Sequence, residues 1–360
     1  MIASGSMLPA IAVVDVREGG ALQHAREGRL RARALRDDCL AWFPPPARAL
    51  VPVLDWLTRH WLKRSRSPYA AEIEAIAAEL GFPGVWFLNG SYQLCCTALA
   101  REEGGLPWLA RTLDWPFPGL GRHVEVARMH GPAGEFFNVS WPGYAGALTA
   151  MAPGRFAAAI NQAPLYRRTR RAWLRPLDIA TAAVTTWFSV RDIPPDQLLR
   201  HVFETCRSFK EARERLETVP VARPVIYTLA GCAPGEHCVI ERTEDRHQTR
   251  FEEACAANDW LHSNEPWEAR AGGEFALTCT FDEASENSRI RRAALAGWGG
   301  RFACDSFAWV APPVLNFFTR VAVEMCPAEG LLRVVGYERQ PSAELPCPVT
   351  QTREIAAVVA

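Results

Sequence analysis

The chain changes its pattern of apolar residues near Cys96, and this change limits the fold more than any other feature. Before that residue, apolar side chains recur mainly at helical spacing, which is typical of amphipathic helices. After it, short apolar runs are separated by Gly and Pro turns, which indicates antiparallel strands. The later order of strands, helices and strands predicts two stacked sheets with helices outside. We therefore expect an α+β fold, with a mainly helical region at 1–95 and a sheet region at 96–360.

The boundaries of the elements follow from the same pattern. The predicted helices are residues 20–39, 47–63, 69–80, 177–189 and 195–217, the last broken near Ser208. The predicted strands are residues 11–16, 97–100, 108–113, 124–129, 135–141, 145–150, 155–161, 225–229, 238–241, 318–325 and 331–337. The final two strands flank Pro-Ala-Glu-Gly, so they are expected to form a hairpin.

One predicted hairpin gathers three chemically distinct side chains. Cys96 stands at the head of its first strand, a turn runs from Glu102 to Gly105, and Arg111 and Asp114 lie near the end of its second strand. The second strand folds back beside the first, so we expect the guanidinium and the carboxylate to lie near the Cys96 thiol.

A thiol, a fixed cation and a fixed carboxylate together favour nucleophilic acyl transfer. Cysteine attacks as the thiolate, and a nearby cation lowers the thiol pKa from its usual value of about 8.5. A cut before Cys96 would free an α-amine with a pKa of roughly 8, which could act as general base while Asp114 holds it. The simpler interpretation is a small buried cysteine in a strand. Cys95 is the alternative nucleophile.

The motifs around the hairpin occur in a characteristic order. A helical pattern at 69–80 is followed by Gly-Phe-Pro at 81–83, an apolar stretch at 85–89, Cys-Thr-Ala at 96–98 and Arg-Thr-Leu-Asp at 111–114. This order resembles the processing region of acid ceramidase and N-acylethanolamine acid amidase, which are N-terminal-nucleophile amide hydrolases. The resemblance implies a four-layered αββα sandwich, a strand at 85–89 and Cys96 as nucleophile. Ala98 and Thr112 replace the Ser and Asn of the family.

Two asparagines are candidates for the oxyanion contact. Residues 261–266, Leu-His-Ser-Asn-Glu-Pro, resemble the Thr-Asn-Asn-Pro or Thr-Asn-Ser-Pro of bile salt and penicillin V hydrolases, which implies Asn264 as a donor. Such a donor contributes roughly 3 kcal/mol, whereas the alternative is an Asn that caps a turn before Pro266. Residues 158–162 resemble the Ile-Asn-Glu segment of the ceramidase group, which implies Asn161 through its backbone N–H. Gln162 replaces the Glu of that group, a departure that counts against strict ceramidase activity.

A further arginine is implied by the same hydrolases. Residues 288–293, Ser-Arg-Ile-Arg-Arg-Ala, resemble their Ser-Arg-Phe-Val-Arg-Ala segment, which implies that Arg289 lies in the site. Arg292 is the alternative if the register of this resemblance slips. Otherwise Arg291 and Arg292 are expected to be solvated side chains near a helix start.

The resemblance implies a self-processing cysteine amidase that cuts before Cys96 and hydrolyses linear N-acyl amides through a Cys96 thioester. No metal or organic cofactor is required. Transfer of the acyl group to an amine, or a non-catalytic relative that binds lipid amides, are the alternatives. Four aromatic residues are expected to line the pocket for an apolar acyl chain, with ordinary core packing as their alternative: Trp115, Phe117, Trp141 and Tyr144.

Composition limits the partners. Lys plus Arg and Asp plus Glu number 40 each, so no net field attracts nucleic acid. Eleven cysteines without framework spacing indicate reduced thiols in a cytoplasmic protein, and Cys232, His237 and Cys238 lack the spacing of a zinc site. No apolar run is long enough to span a bilayer, and the N-terminus lacks the pattern of a secretory signal. We expect a small-molecule amide substrate and two cleavage products that stay associated; the sequence leaves a homo-oligomer open.

Overall fold

The computed structural model describes residues 7–90, 95–169, 171–252, 254–261, 267–270, 279–304 and 306–359. The α-helices are α1 (Gly20–Glu27), α2 (Arg29–Ala41), α3 (Pro45–Arg48), α4 (Val51–Leu62), α5 (Ala70–Leu80), α6 (Val85–Gly90), α7 (Arg175–Phe188), α8 (Pro195–Thr205), α9 (Phe209–Thr218) and α10 (Phe281–Ala296). The strands are β1 (Val13–Asp15), β2 (Thr97–Glu103), β3 (Leu106–Asp114), β4 (Glu125–Gly131), β5 (Gly134–Ser140), β6 (Thr149–Ala152), β7 (Phe156–Gln162), β8 (Leu165–Tyr166), β9 (Val225–Ala230), β10 (His237–Arg242), β11 (His247–Arg250), β12 (Cys255–Ala256), β13 (Trp267–Glu268), β14 (Thr319–Cys326), β15 (Leu331–Glu338), β16 (Cys347–Pro348) and β17 (Arg353–Ala356).

Most of the described strands form two large sheets. The first sheet has the order β1-β4-β5-β6-β7-β9-β10-β11, and the second has the order β12-β2-β3-β14-β15-β16, with β17 also paired to β15. Pairing is antiparallel throughout both sheets except between β1 and β4. The predicted hairpins β2–β3 and β14–β15 are both present, side by side in the second sheet.

Helices cover the outer faces of the two sheets. Helices α8 and α9 pack on the first sheet, and α10 packs on β2 and β12 of the second. Strands β2 and β3 face β7 and β9 across the space between the sheets, so the apolar core lies between them. The predicted α+β fold and its four αββα layers are confirmed.

The region before Cys96 is mainly helical and shares the central core. Buried side chains from α4 and α5, such as Trp61, Ile73 and Ile76, belong to the same apolar cluster as those of the sheets. This region also supplies β1, which extends the first sheet. The N-terminal region is therefore packed into the same core as the sheets.

Several predicted elements differ from the structure, among them the strand at 85–89 and the helix at 20–39. Residues 85–89 form helix α6 instead of a strand, because Asp55 of α4 accepts hydrogen bonds from the free N–H groups of Gly84 (2.9 Å) and Phe87 (2.8 Å) at its start. The single helix predicted at 20–39 is divided into α1 and α2 at Gly28, whose Cα packs against the ring of Pro142. The break near Ser208 is present, and its hydroxyl caps α9.

In the described part of the chain, no helix has both the length and the apolar composition needed to cross a bilayer.

Candidate active site

The β2–β3 hairpin brings the thiol of Cys96 and the guanidinium of Arg111 together. Ala98 and Arg111 lie opposite each other in the register, and Cys96 precedes Ala98 by two residues, so the three side chains share one face. That face points into the core between the sheets. Arg111 Nη2 donates a hydrogen bond of 2.8 Å to Cys96 Sγ, and both residues are fully buried.

The remaining contacts of Arg111 hold it in place without neutralising it. Its Nη1 donates to Thr149 Oγ1 at 2.7 Å, and its Nη2 also donates to the carbonyl of Ile160 at 2.8 Å. Among the described residues, no carboxylate lies within ion-pair distance of this guanidinium. Its positive charge therefore acts chiefly on the thiol beside it.

Burial raises the pKa of the Cys96 thiol, and the carboxylate of Asp114 adds to that increase. The positive charge of Arg111 opposes the increase but does not reverse it. In the intact chain the thiol is therefore protonated at neutral pH, and its attack requires a base that accepts the proton.

Asp114 lies at the end of β3, next to the Cys95–Cys96 peptide bond. The backbone N–H of Cys95 donates to the carbonyl of Asp114 at 2.8 Å. One carboxylate oxygen, Oδ2, accepts a hydrogen bond of 2.7 Å from Asn316, whereas the buried Oδ1 has no partner among the described residues. Burial raises the pKa of Asp114, and the nearby charge of Arg291 opposes this effect.

Arg291, not Arg289, projects from α10 toward Cys96. The fully buried Arg291 donates from Nη1 to the carbonyl of Cys96 and to Thr97 Oγ1, each at 2.9 Å. Arg289 is 61% exposed and pairs with Glu286 on the outer face of the helix. Side chains two positions apart on a helix differ by about 200° in direction, so Arg289 and Arg291 lie on opposite faces. The prediction that Arg289 lies in the site is thus wrong. Arg292, the alternative, is partly exposed.

Asn161, at the end of β7, ties the first sheet to the backbone of Cys96. Its Nδ2 donates to the carbonyls of Cys96 (3.3 Å), Ala256 (3.1 Å) and Ala257 (3.1 Å). The side chain is fully buried. The side-chain amide thus occupies a position beside the nucleophile, whereas the sequence pointed to the backbone N–H of this residue.

Asn258 is a second buried asparagine in the site. Its Nδ2 donates to the carbonyl of Gln162 at 2.9 Å, and its Oδ1 accepts from Arg291 Nη2 at 3.0 Å. The predicted candidate Asn264 lies outside the described residues. Asn258 was missed because the motif was aligned on Pro266. Asn258 lies two residues after β12, which pairs with β2.

A cavity of about 920 Å³ is lined by sequence neighbours of the site residues, but not by the buried side chains of Cys96, Arg111, Asp114, Asn161, Asn258 or Arg291 themselves. Its walls include Trp115, which follows Asp114, and Gln162, which follows Asn161. An apolar pocket of about 80 Å³ adjoins the cavity, and four aromatic or apolar wall residues belong to both: Phe43, Phe87, Trp115 and Phe117.

Two of the four predicted pocket aromatics line these cavities and two do not. Trp115 and Phe117 stand on the walls of both. Trp141 is buried in the core, where its Nε1 donates to the carbonyl of Leu120 at 2.8 Å. Tyr144 is also buried, and its hydroxyl donates to Asp196 Oδ2 at 2.6 Å. The prediction that Trp141 and Tyr144 line the pocket is wrong, because internal hydrogen bonds fix both in the core.

Two alternatives for the chemistry gain no support from the structure. Burial raises the pKa of the Cys95 thiol to about 12, whereas the Cys96 thiol receives a hydrogen bond directly from the Arg111 guanidinium. His237 and Cys238 lie on β10, where a neighbouring strand pairs with them. The described residues hold no group of three or more His, Cys, Asp or Glu side chains that could bind a metal ion.

Comparison with known proteins shows relatives among amide hydrolases. No protein-family model matches the chain. N-acylethanolamine-hydrolyzing acid amidase from Cavia porcellus is 26% identical over 182 residues, which cover 49% of this chain and 48% of that protein. A probable acid ceramidase from Caenorhabditis elegans is 25% identical over 218 residues, which cover 54% of this chain and 52% of that protein. The predicted resemblance is confirmed. The chain spans about half the length of the curated relatives it matches.

Solved structures that are similar to this chain include the following two. The N-acylethanolamine-hydrolyzing acid amidase ortholog of Caenorhabditis elegans is 18% identical, with a TM-score of 0.48, over 65% of this chain and 93% of that chain. A mutant of conjugated bile acid hydrolase from Clostridium perfringens is 12% identical, with a TM-score of 0.40, over 72% of this chain and 92% of that chain.

Proposed function

We propose that this chain is a self-processing cysteine amidase that hydrolyses linear N-acyl amides with an apolar acyl chain. The observation that carries the proposal is the 2.8 Å hydrogen bond from Arg111 Nη2 to Cys96 Sγ in a fully buried site. The relative named for N-acylethanolamine hydrolysis supports the choice of an N-acyl amide.

The first reaction is cleavage of the chain's own Cys95–Cys96 peptide bond. Cys96 Sγ attacks the Cys95 carbonyl carbon, the thiol proton passes to the Cys96 nitrogen, and the C–N bond breaks to leave a thioester and a free α-amine. Water then hydrolyses the thioester, which gives Cys95 a carboxylate and restores the thiol. Arg291 holds the Cys96 carbonyl throughout, so the new N-terminus keeps its position.

The second reaction repeats this chemistry on a substrate amide. The α-amine of Cys96 takes the thiol proton, the thiolate attacks the substrate carbonyl, and the proton leaves with the departing amine. The unpartnered Oδ1 of Asp114 is the acceptor that holds the α-amine. Water then releases the acyl group as a carboxylic acid.

Asn258 supplies the oxyanion contact among the described residues. Arg291 fixes its Oδ1, and its Nδ2 donates to the carbonyl of Gln162, a residue of the cavity wall. A preorganised amide donor of this kind contributes roughly 3 kcal/mol to the transition state. Asn264 keeps its predicted role as a further donor, and Asn161 positions the Cys96 carbonyl.

The two cleavage products stay associated in this account. The N-terminal product retains β1 within the first sheet and buries Trp61, Ile73 and Ile76 in the shared core. Separation would expose that apolar surface to water, at a cost of about 25 cal/mol for each Å².

Acyl transfer to an amine is the second candidate, since the same thioester serves both reactions. The test is mass spectrometric detection of products from N-dodecanoylethanolamine and N-dodecanoylglycine, with and without an added primary amine. We expect free dodecanoic acid from the wild type and from the matched control Cys95→Ala, and none from Cys96→Ala. A new amide formed in place of the acid would show an acyltransferase. Equal acid release by Cys96→Ala would refute the proposal.

A further inference from the structure

Asn316 lies in the loop before β14 and contacts the carboxylate of Asp114 from a position 202 residues further along the chain. The strand register brings it there, because Thr319, at the start of β14, lies opposite Asp114 at the end of β3. Asn316 Nδ2 donates to Asp114 Oδ2 at 2.7 Å, and the residue is buried. The loop therefore places an amide donor on the group that is proposed to hold the α-amine of Cys96.

The other contacts of Asn316 determine which end of its amide faces Asp114. Its Oδ1 accepts a hydrogen bond of 3.0 Å from the backbone N–H of Phe318, which can only donate. Its Nδ2 also donates to the carbonyl of Val314 at 3.2 Å, which can only accept. A rotation of the amide by half a turn would set oxygen against oxygen and N–H against N–H. Only the observed orientation satisfies all three neighbours.

The backbone around Asn316 is tied to the same place. Its N–H donates to Thr319 Oγ1 at 3.0 Å, and its carbonyl accepts from the N–H of Thr319, also at 3.0 Å. The carbonyl of Phe318 accepts a hydrogen bond of 2.7 Å from the N–H of Trp115, the residue after Asp114. The loop thus holds both the side chain of Asp114 and the backbone that follows it.

The contact with Asn316 acts on Asp114 in two ways. First, an amide N–H can only donate, so it favours the ionised carboxylate. Burial raises the pKa of Asp114, and the charge of Arg291 opposes that increase. The hydrogen bonds from Asn316 and Thr319 oppose it as well. Second, Asn316 occupies Oδ2, whereas the buried Oδ1 has no partner among the described residues. An acceptor of fixed orientation is thus left open.

Resting on the proposed amidase function, we infer that Asn316 is a positioning residue, which turns Asp114 Oδ1 toward the α-amine of Cys96 and keeps it there. Asn316 acts on the reaction only through Asp114. The α-amine is then held in a fixed place when it takes the thiol proton. Without Asn316, the buried Oδ2 loses its amide donor, so the carboxylate is protonated more easily and oriented less well.

The isosteric change Asn316→Asp tests the inference through pH. The new carboxyl group keeps the acceptor for the Phe318 N–H, so this loop contact is retained. At low pH the two carboxyl groups share one proton and the pair keeps the wild-type charge, whereas at higher pH they repel each other. We expect kcat for N-dodecanoylglycine, relative to the wild type at the same pH, to fall about tenfold or more between pH 5 and pH 8. Gln340→Glu, which adds the same charge at an exposed position, should keep the wild-type profile.

A double-mutant cycle tests whether Asn316 acts through Asp114. Asn316→Ala should lower kcat about tenfold in the wild-type background, with little change in KM, and cause no further loss in Asp114→Asn. The exchange of both residues, Asp114→Asn with Asn316→Asp, returns one carboxylate and one amide to the pair. It should regain the resistance to urea that Asn316→Asp loses at pH 8, but not the activity, because the carboxylate is on the wrong side. Equal losses from Asn316→Ala in both backgrounds, or a wild-type pH profile in Asn316→Asp, overturn the inference.

Alkylation of the thiol separates this inference from the proposed function. The rate at which iodoacetamide modifies Cys96 is measured against pH by mass spectrometry of the 96–360 fragment, and it needs no amide turnover. A less firmly held α-amine takes the thiol proton less readily, so the midpoint for Asn316→Ala should move to higher pH by about half a unit or more. Such a shift in a protein that hydrolyses neither dodecanoyl amide refutes the amidase but keeps the positioning role. Hydrolysis at equal rates by the wild type, Asn316→Asp and Asn316→Ala refutes the positioning role but keeps the amidase. A chain that stays uncut has no α-amine and overturns both.

Discussion

Arg291 donates a 2.9 Å hydrogen bond to the carbonyl of Cys96, from a position 195 residues further along the chain. The same guanidinium binds Thr97 Oγ1 and Asn258 Oδ1. One buried side chain thus links helix α10, the strand that begins after the thiol, and the asparagine proposed for the oxyanion contact.

Replacing Arg291 by Lys is expected to slow self-cleavage at least about tenfold. Lysine keeps the charge but lacks the planar fork, so at least one hydrogen bond of roughly 1.5–3 kcal/mol is lost. The fraction of cleaved chain over time, measured by mass spectrometry, reports the effect. The control Arg289→Lys should cleave at the wild-type rate, since that side chain is exposed. A slow Arg289→Lys and a normal Arg291→Lys would reverse the assignment.

Asp114→Asn is expected to reduce amide hydrolysis about 100-fold or more, because the α-amine of Cys96 loses the carboxylate that holds it as general base. The protein should remain at least as stable at pH 7, since burial raises the pKa of Asp114 and thus disfavours its charged form in the folded state. Hydrolysis rates and urea unfolding test the two statements. The exposed variant Asp37→Asn serves as control for both. Full activity in Asp114→Asn would contradict the proposed role.

The pair of Tyr144 and Asp196 predicts a pH dependence of stability. Burial raises the pKa of Asp196 from 3.8 to about 6, against the hydrogen bond from Tyr144. Because the folded-state pKa is the higher one, this group's contribution is complete below pH 4 and is lost as the pH rises through about 6. The shift corresponds to about 3 kcal/mol.

Urea unfolding between pH 3.5 and 7 measures this effect as the difference between the wild type and Asp196→Asn. The free energy of unfolding of the wild type should fall relative to that of the variant across this range. The free energy of unfolding of the exposed variant Asp37→Asn should change with pH in parallel with that of the wild type. Parallel curves for wild type and Asp196→Asn would contradict a raised pKa at this position.

The apolar pocket predicts a preference for long acyl chains that depends on Phe117. Phe117→Ala removes apolar wall surface, so kcat/KM for a dodecanoyl amide should fall about tenfold while that for an acetyl amide stays unchanged. Tyr144→Phe, a change outside both cavities, should leave the ratio of the two rates intact. An equal fall of both rates in Phe117→Ala would contradict a role of Phe117 in binding the acyl chain.

The sequence was sufficient for local relationships within one hairpin. The register of β2 and β3 follows from the length of the turn, so the proximity of Cys96 and Arg111 could be predicted without knowledge of the rest of the fold. The order of strands and helices along the chain likewise predicted the two sheets and their outer helices.

Long-range contacts determine the features that could not be predicted from the sequence. Residues 85–89 are apolar enough for a strand, but Asp55, about 30 residues earlier, caps them as a helix. The choice between Arg289 and Arg291 depends on which face of α10 meets the sheet. The buried residues Ala284, Ser288, Arg291 and Leu295 define that face, and a polar stripe of this kind has a weak hydrophobic signal.

The intact mass of freshly purified protein under denaturing conditions shows whether the chain cuts itself before Cys96. The wild type and the control Cys95→Ala are predicted to give two fragments, of 95 and 265 residues, whereas Cys96→Ala gives one chain of 360 residues. Incubation across acidic and neutral pH allows a slow cut to proceed. A single uncut chain in the wild type under all these conditions, or equal cleavage in Cys96→Ala, would contradict self-processing by the Cys96 thiol.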